Sequence, residues 1–584
     1  MSISGPRSVA PWRAVAFLLT SLGLLCASAL AAQTTGPESE TPGTRTGLEP
    51  RELTPTAERT AGADRRPRRL APQPAEPQPP DRGPATCGGD SICAAEVDAI
   101  VQRAAMSLDT DNLTVVVVDR VGGVLAVFRK PGADPANDDI AVGVARTAAF
   151  FSNNFAPLSS RTVRSLSGVN FPIGVKNTLS GGLYSIEQSN RGCDLNVTFN
   201  EGQAIPQSKS IEGLRNDLEC NPRNTVGCGP GLITGKQDPF EEVDQPVNIN
   251  PGGVPLFRPT TDLSTATGGL ALGAIGVAGP PALQAEFAAF NGAFGAGATA
   301  PIPFLPRLPF PGNVFIDGVR LAFVRQTTQP AGTSPDPVLR GAYDPDFLPR
   351  NGQSPPEGYL VGPLAGQKLT AAEVDRIVQQ SVESANRTRA QVRLPVGQSS
   401  RMVIAISDLD GKLLALFRQP DALFDAVDVC PGKARAVVFY SGEGSARLRG
   451  VPPGIAITTR ALGFGAQIAF PSGQENKESG PFFEDVYVRD WFTYCSIGDQ
   501  GPDNPNQNGI SFIPGGIPLY KGNELVGGLG VSGDGVEQDD IVAFEGAFGF
   551  LPAEAIRSDT VVIDGVRLPF LKFPRQPTPR GLGD

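Results

Sequence analysis

The chain has 584 residues, 60 Asp and Glu against 50 Lys and Arg, and no histidine. Without imidazole there is no Ser-His-Asp triad, no Cys-His dyad and no His-ligated metal, and a net charge of −10 leaves no basic footprint for nucleic acid. Gly 69 and Pro 56 mark abundant loops, while 40% apolar residues still allow sizeable cores.

Residues 1–32 read as a secretory signal. Arg7 and Arg13 supply its positive start, Ala14 to Leu25 its apolar run, and Ala29 and Ala31 the small residues of a cleavage site. The run is shorter than the roughly 20 residues a spanning helix needs, and no later segment supplies a transmembrane helix. Export to a periplasmic or extracellular location is expected. A lipoprotein anchored at Cys26 is disfavoured, because Leu25 stands where a small residue belongs. Residues 33–87 follow as a Pro-rich linker with no aromatic residue, too polar to offset its ordering entropy. Arg65, Arg66, Arg68 and Arg69 form a basic knot there, read as a solvated tail before an anionic contact.

Beyond the signal the cysteines are Cys87, Cys93, Cys193, Cys220, Cys228, Cys430 and Cys495. In an oxidising compartment they are disulfide candidates. Cys220 and Cys228 flank a short loop, and Cys430 and Cys495 are the only pair in the second half. The odd count leaves at least one thiol free or intermolecular.

The chain then repeats itself. Glu96 to Gln102 matches Glu373 to Gln379 at six of seven positions, Asp119 to Pro131 matches Asp408 to Pro420, and Gly252 to Phe257 matches Gly515 to Tyr520. Both copies close on the same six residues, Ile316 to Leu321 and Ile563 to Leu568. The reading is a tandem pair, 88–325 and 360–573, each long enough to fold alone, with a linker at 326–359 and a tail at 574–584. In each copy the pattern predicts an amphipathic helix, with a Thr370/Glu373 capping box in the second. A hairpin turning at Gly122-Gly123 or Asp410-Gly411 follows. A helix comes next, about Asp139 to Phe151 or Gly432 to Tyr440, then a Gly/Pro loop, two strands and a last helix. The fold class is α+β, an antiparallel sheet packed with helices.

These runs resemble the GlcG/HbpS-type haem-binding or haem-degrading family. The resemblance rests on the EVD-led helix, the hairpin D-x-x-G-x-L-L-A-x-F-R-x-P, the helix with Lys433-Ala434-Arg435, the G-G-[IV]-P-L-[YF] strand and the G-x-[IL]-G-V strand before an acidic helix. It covers most of both copies and is fuller in the second, since Val144 replaces the lysine in the first. It implies two tandem profilin-like domains, a homo-oligomer, and haem or a related tetrapyrrole as the small-molecule ligand and cofactor. It implies no catalytic set. Two other readings stay open: a structural or oligomerisation module that has lost its ligand, and an enzyme of small hydroxy-acid, glycolate-type metabolism.

Candidate ligand-binding residues follow. Asp139 and Arg146 lie seven apart, on one face of a continuous helix, and read as an anion or propionate site or as a surface ion pair. In the second copy Pro431 is expected to keep Asp428 outside the helix, with Lys433 and Arg435 in its opening turns. Arg129 and Arg418 end matching strands, where they reach a carboxylate ligand or lie in solvent. Phe439 stacks on a flat ring or packs in the core. Iron ligation without His falls to Tyr, Cys or Met. Tyr184 and Met106 are the choices in the first copy. Tyr440, Tyr487, Tyr494 and Tyr520 are those in the second, with Tyr440 beside Arg435 as first candidate.

Overall fold

A computed structural model describes residues 89–173, 175–184, 186, 251–259, 269–294, 314–471, 473–474, 478–486 and 510–579. The signal, the 33–87 linker, Cys220, Cys228, Cys495, Tyr487 and Tyr494 lie outside the described residues.

The first half runs α1 (Ala94–Met106), β1 (Thr114–Asp119), β2 (Val124–Arg129), α2 (Asn137–Phe151), α3 (Ser160–Ser167), β3 (Gly253–Pro259), β4 (Gly269–Ala278), α4 (Ala282–Phe294), and the short strands β5 (Phe315–Ile316), β6 (Val319–Arg320) and β7 (Ala342–Tyr343). The second half runs β8 (Gly358–Val361), α5 (Ala371–Arg387), β9 (Met402–Ser407), β10 (Leu413–Arg418), α6 (Ala426–Ser441), α7 (Thr459–Gly465), β11 (Gly516–Lys521), β12 (Glu524–Gly533), α8 (Val536–Gly546), β13 (Val562–Ile563) and β14 (Val566–Arg567). Two five-stranded sheets result, ordered β3-β4-β1-β2-β7 and β11-β12-β9-β10-β8. Every pairing within them is antiparallel. No helix among the described residues is long and apolar enough to cross a membrane.

Side-chain alternation builds the layers. On β1, Val115 and Val117 point to one core, with α1 and α4, while Val116 and Val118 point to another, with α2. On β9, Ile404 and Ile406 face α5 and α8, while Val403 and Ala405 face the side of α6. The two inner faces share one hydrophobic cluster, so Val116, Ala145 and Phe150 belong to the same core as Val403, Leu416 and Ala434. Phe150 meets Phe424 at 6.0 Å between ring centroids. Independent folding of the halves was expected, and the halves share this cluster across their inner faces.

A charged chain also crosses between the halves. Arg120 donates to Asp421 Oδ1 at 2.6 Å, and Arg393 donates to Asp421 Oδ2 at 2.6 Å and to Asp534. All four side chains are at least mostly buried. Segment 326–359, expected as a linker, completes both sheets. It carries β7, paired to β2, and begins β8, paired to β10. Tyr343 packs edge-on against Phe128 and bonds Asp98, and Asp336 pairs with buried Lys130 at 2.8 Å.

Two local expectations are corrected. Helix α6 begins at Ala426, not near Gly432, and includes Pro431. The proline forfeits one helical hydrogen bond early in the helix, a cost outweighed by the burial of every residue from Ala426 to Ser441. Cys430 is a buried free thiol and not half of a disulfide with Cys495. It points from α6 into the sheet, its Sγ 2.9 Å from the Gly530 carbonyl and 3.1 Å from that of Val403. Cys93, by contrast, is disulfide-bonded.

Candidate functional site

Arg146 on α2 is buried, and its Nε donates to the Gly122 carbonyl at 3.0 Å. Arg435 on α6 is also buried, and its Nε donates to the Gly411 carbonyl at 2.7 Å. Each therefore holds the hairpin turn of its own half against the middle helix. Burial pulls the Arg435 guanidinium down to about 9, opposed by the charges of Asp428 and Asp410. Asp428 lies within α6, so the shared-face pairing denied to the second half is present there. Asp139 sits in the first turn of α2, partly exposed.

Lys433 is fully buried, donating to the Val531 carbonyl at 2.8 Å and to Asp539 Oδ2 at 2.9 Å. The strand-end arginines differ. Arg129 is partly exposed and bound by Asp138 and Asp344, and its pKa is raised, chiefly by the hydrogen bond to Asp138. Arg418 is fully buried, donating to the carbonyls of Ala422 at 2.6 Å and Pro356 at 3.1 Å, and stands 5.5 Å over the Phe424 ring. Burial pulls it down to about 9. Tyr440 is fully buried in an apolar cluster and packs edge-on against Phe439 at 5.0 Å.

The cavity lies elsewhere. A space of about 720 Å³ opens between the halves, within the range of small-molecule sites. The first half contributes Phe151, Leu166, Phe171, Gly182, Tyr184 and Asp317; the second contributes Gln391, Leu423, Asp425, Arg460, Phe464, Phe512, Glu537, Asp539 and Lys572, among others. Arg129, Asp139, Arg146, Arg418, Asp428, Lys433, Arg435, Phe439 and Tyr440 do not line it, whereas Tyr184, the iron-ligand candidate of the first half, does. Lys433 comes nearest, through Asp539. The lining comes from both sides of the Gly/Pro loops and from the starts of α6 and α8, segments far apart in the sequence.

The walls are apolar and aromatic with an acidic region. Asp425 stands at the N-terminus of α6 and Asp539 in the first turn of α8. Both are buried, and burial pushes Asp425 up to about 8 and Asp539 up to about 7. The two cations are engaged: Arg460 bonds Asp540, and Lys572, more than half exposed, bonds Glu537. Tyr184 is the only His, Cys, Tyr or Met side chain among the described lining residues. No group of three His, Cys, Asp or Glu among the described residues could hold a metal ion.

This is an α+β protein with two antiparallel sheets and a partly open, mostly apolar cavity between its halves. Residues 369–547 match the model of the family described as haem degrading protein HbpS-like. Among solved structures, the chain is similar to a PduOC:heme complex (20% identity, 31% of this chain, 94% of that one, TM-score 0.21). It is also similar to ORFY of Klebsiella pneumoniae (17% identity, 31% of this chain, 88% of that one, TM-score 0.19). A third is a double mutant of HbpS from Streptomyces reticuli (18% identity, 32% of this chain, 88% of that one, TM-score 0.19). No curated protein matches.

Proposed function

We propose that the protein binds a tetrapyrrole of the haem class in the cavity between its halves. The observation that carries this reading is an aromatic-walled space of about 720 Å³ bordered by the HbpS-like stretch. The residues present suit such a ligand. Phe151, Phe171, Phe464 and Phe512 offer flat apolar surface, Tyr184 offers a phenol oxygen for an iron, and Lys572, more than half exposed, offers a cation that a propionate could share with Glu537. Haem, when bound, supplies redox and oxygen chemistry; the chain's part is to bury the ring and exclude water.

The two halves are further read as a tandem duplication. Shared motifs, one strand order and matched contacts support this: Arg146 to Gly122 as Arg435 to Gly411, and Gly253 N–H to Ser160 as Gly516 N–H to Thr459. The N-terminal signal pattern supports export to a periplasmic or extracellular site. One observation favours the rival reading, a module that has lost its ligand: Arg146, Lys433, Arg435 and Arg418 all spend donors on the protein's own carbonyls or carboxylates.

Titration of the full chain with a panel of tetrapyrroles at micromolar concentration, followed by absorbance, tests the reading. Gly182→Phe should fill the cavity, since a Cβ there meets only ordinary contacts with Val536. Saturable binding that Gly182→Phe abolishes, with the melting temperature retained, is the expected result. No binding of any tetrapyrrole, or binding indifferent to Gly182→Phe, sinks it.

A further inference from the structure

We propose that the cavity takes its tetrapyrrole in one orientation, apolar edge inward and carboxylates at the mouth, and so selects rings whose carboxylates are confined to one edge. This rests on the reading above and narrows it. The cavity is graded in polarity and in access to water. Phe151, Leu158, Val392, Leu423, Val429 and Ile513 line it and are all but fully buried. Its charged residues within reach of water are Asp317, exposed at the turn between β5 and β6, Glu537 in the first turn of α8, and Lys572, more than half exposed. These three mark the mouth. The buried side offers an anion no cation. Of the two cations among the described lining residues, Arg460 gives its Nε to Asp540 and its Nη2 to the Val536 carbonyl at 3.2 Å, which leaves Lys572. The ionisable groups that border the buried side, Asp425 and Asp539, are acids.

The choice of ligand follows from that gradient. A carboxylate carried to the buried side loses its hydration and meets no cation, among the most costly exchanges a binding site can make. At the mouth the same group keeps its water and pairs with the Lys572 ammonium, which it shares with Glu537. Asp317 and Glu537 have the wrong sign for it, but water and salt screen charges there. A ring with two propionates side by side satisfies both ends at once. Its methyl and vinyl edge lies against the phenylalanines and leucines, and its propionates stay in solvent. A ring with a carboxylate on every pyrrole has no such orientation, because each way of inserting it drives at least one carboxylate inward.

The test uses the full-length chain and three porphyrins that all carry iron, so that ligation of the metal is common to them. Hemin has two propionates on one edge, iron coproporphyrin III has four around the ring, and hemin dimethyl ester has no free carboxylate. Wild type should bind hemin at least about tenfold more tightly than iron coproporphyrin III, a lower bound for burying one carboxylate unpaired. Lys572→Gln should weaken hemin by about two- to fivefold, the size of an exposed ion pair, and Glu537→Gln, which frees the ammonium, should tighten it by a similar factor. Neither variant should move the dimethyl ester, which damage to the fold would not spare. Iron coproporphyrin III bound as tightly as hemin, or variants that treat hemin and its ester alike, overturns the proposal and leaves tetrapyrrole binding standing. Failure of every tetrapyrrole to bind overturns both.

Discussion

An arginine taken out of water needs partners for its N–H groups. Arg146 and Arg435 each donate Nε–H to a turn carbonyl. Arg435→Ala is therefore expected to destabilise the fold by about 1–3 kcal/mol, the range for a hydrogen bond to a charged group. Arg146→Ala should do the same, and midpoints of urea unfolding measure both. Asp425 makes the opposite kind of statement. Its carboxyl rises from 3.8 to about 8 on folding, so the folded protein holds this proton more tightly than the unfolded chain. For this group stability is fully present below pH 3.8 and is lost as pH rises toward about 8. Asp425→Asn should remove that loss. The stability difference in favour of the variant should widen between pH 5 and pH 8, by at most about 1.4 kcal/mol per pH unit. Parallel pH profiles for wild type and variant would refute the assignment.

At the scale of elements, the middle helix of each half lies directly on a strand. A Cβ on Gly530 of β12 would stand 2.3 Å from the Cys430 carbonyl oxygen of α6, and one on Gly276 of β4 would stand 2.0 Å from that of Ala141 on α2. Glycine is required at both for closeness, not for a special φ. Gly530→Ala should separate helix from sheet and cost about 1–3 kcal/mol, the usual penalty for overpacking. The melting temperature is the measurement, and Gly276→Ala should behave alike. The same contact explains why α6 tolerates Pro431: burial along its whole length outweighs one missing backbone bond.

At the scale of the molecule, the two halves share a core and the ion chain from Arg120 to Asp534. Fragments 88–325 and 360–573 are each long enough for a domain, yet each would expose half of that core. The first would also lack β7 at Ala342–Tyr343. Neither fragment alone should melt cooperatively, and mixing or co-expressing them should restore a cooperative transition, read by circular dichroism. Two independent, native-like melts would show that the shared cluster contributes little. Within the ion chain, Arg393→Ala leaves Asp534 and Asp421 short of a partner and should cost about 3–5 kcal/mol.

Local pattern alone determined a good deal. The alternation of Val115 to Val118 and of Val403 to Ile406, the turns at Gly122 and Gly411, and the Thr370/Glu373 box are each written in a few adjacent residues, and they return as strands, hairpins and a capped helix. The matching motifs likewise return as two sheets with one strand order. The N-terminus of α6 was not legible, because Pro431 is a breaker unless tertiary burial overrides it. Nor was the cavity. Arg146, Lys433, Arg435 and Tyr440 carried ligand chemistry as residue types, but their helices face inward, and a buried charge bonds whatever backbone lies nearest. Tyr184, Asp425 and Asp539 border the cavity only because two sheets close on a common core and leave a space between their loops. That juxtaposition joins residues hundreds of positions apart, and only tertiary packing decides it.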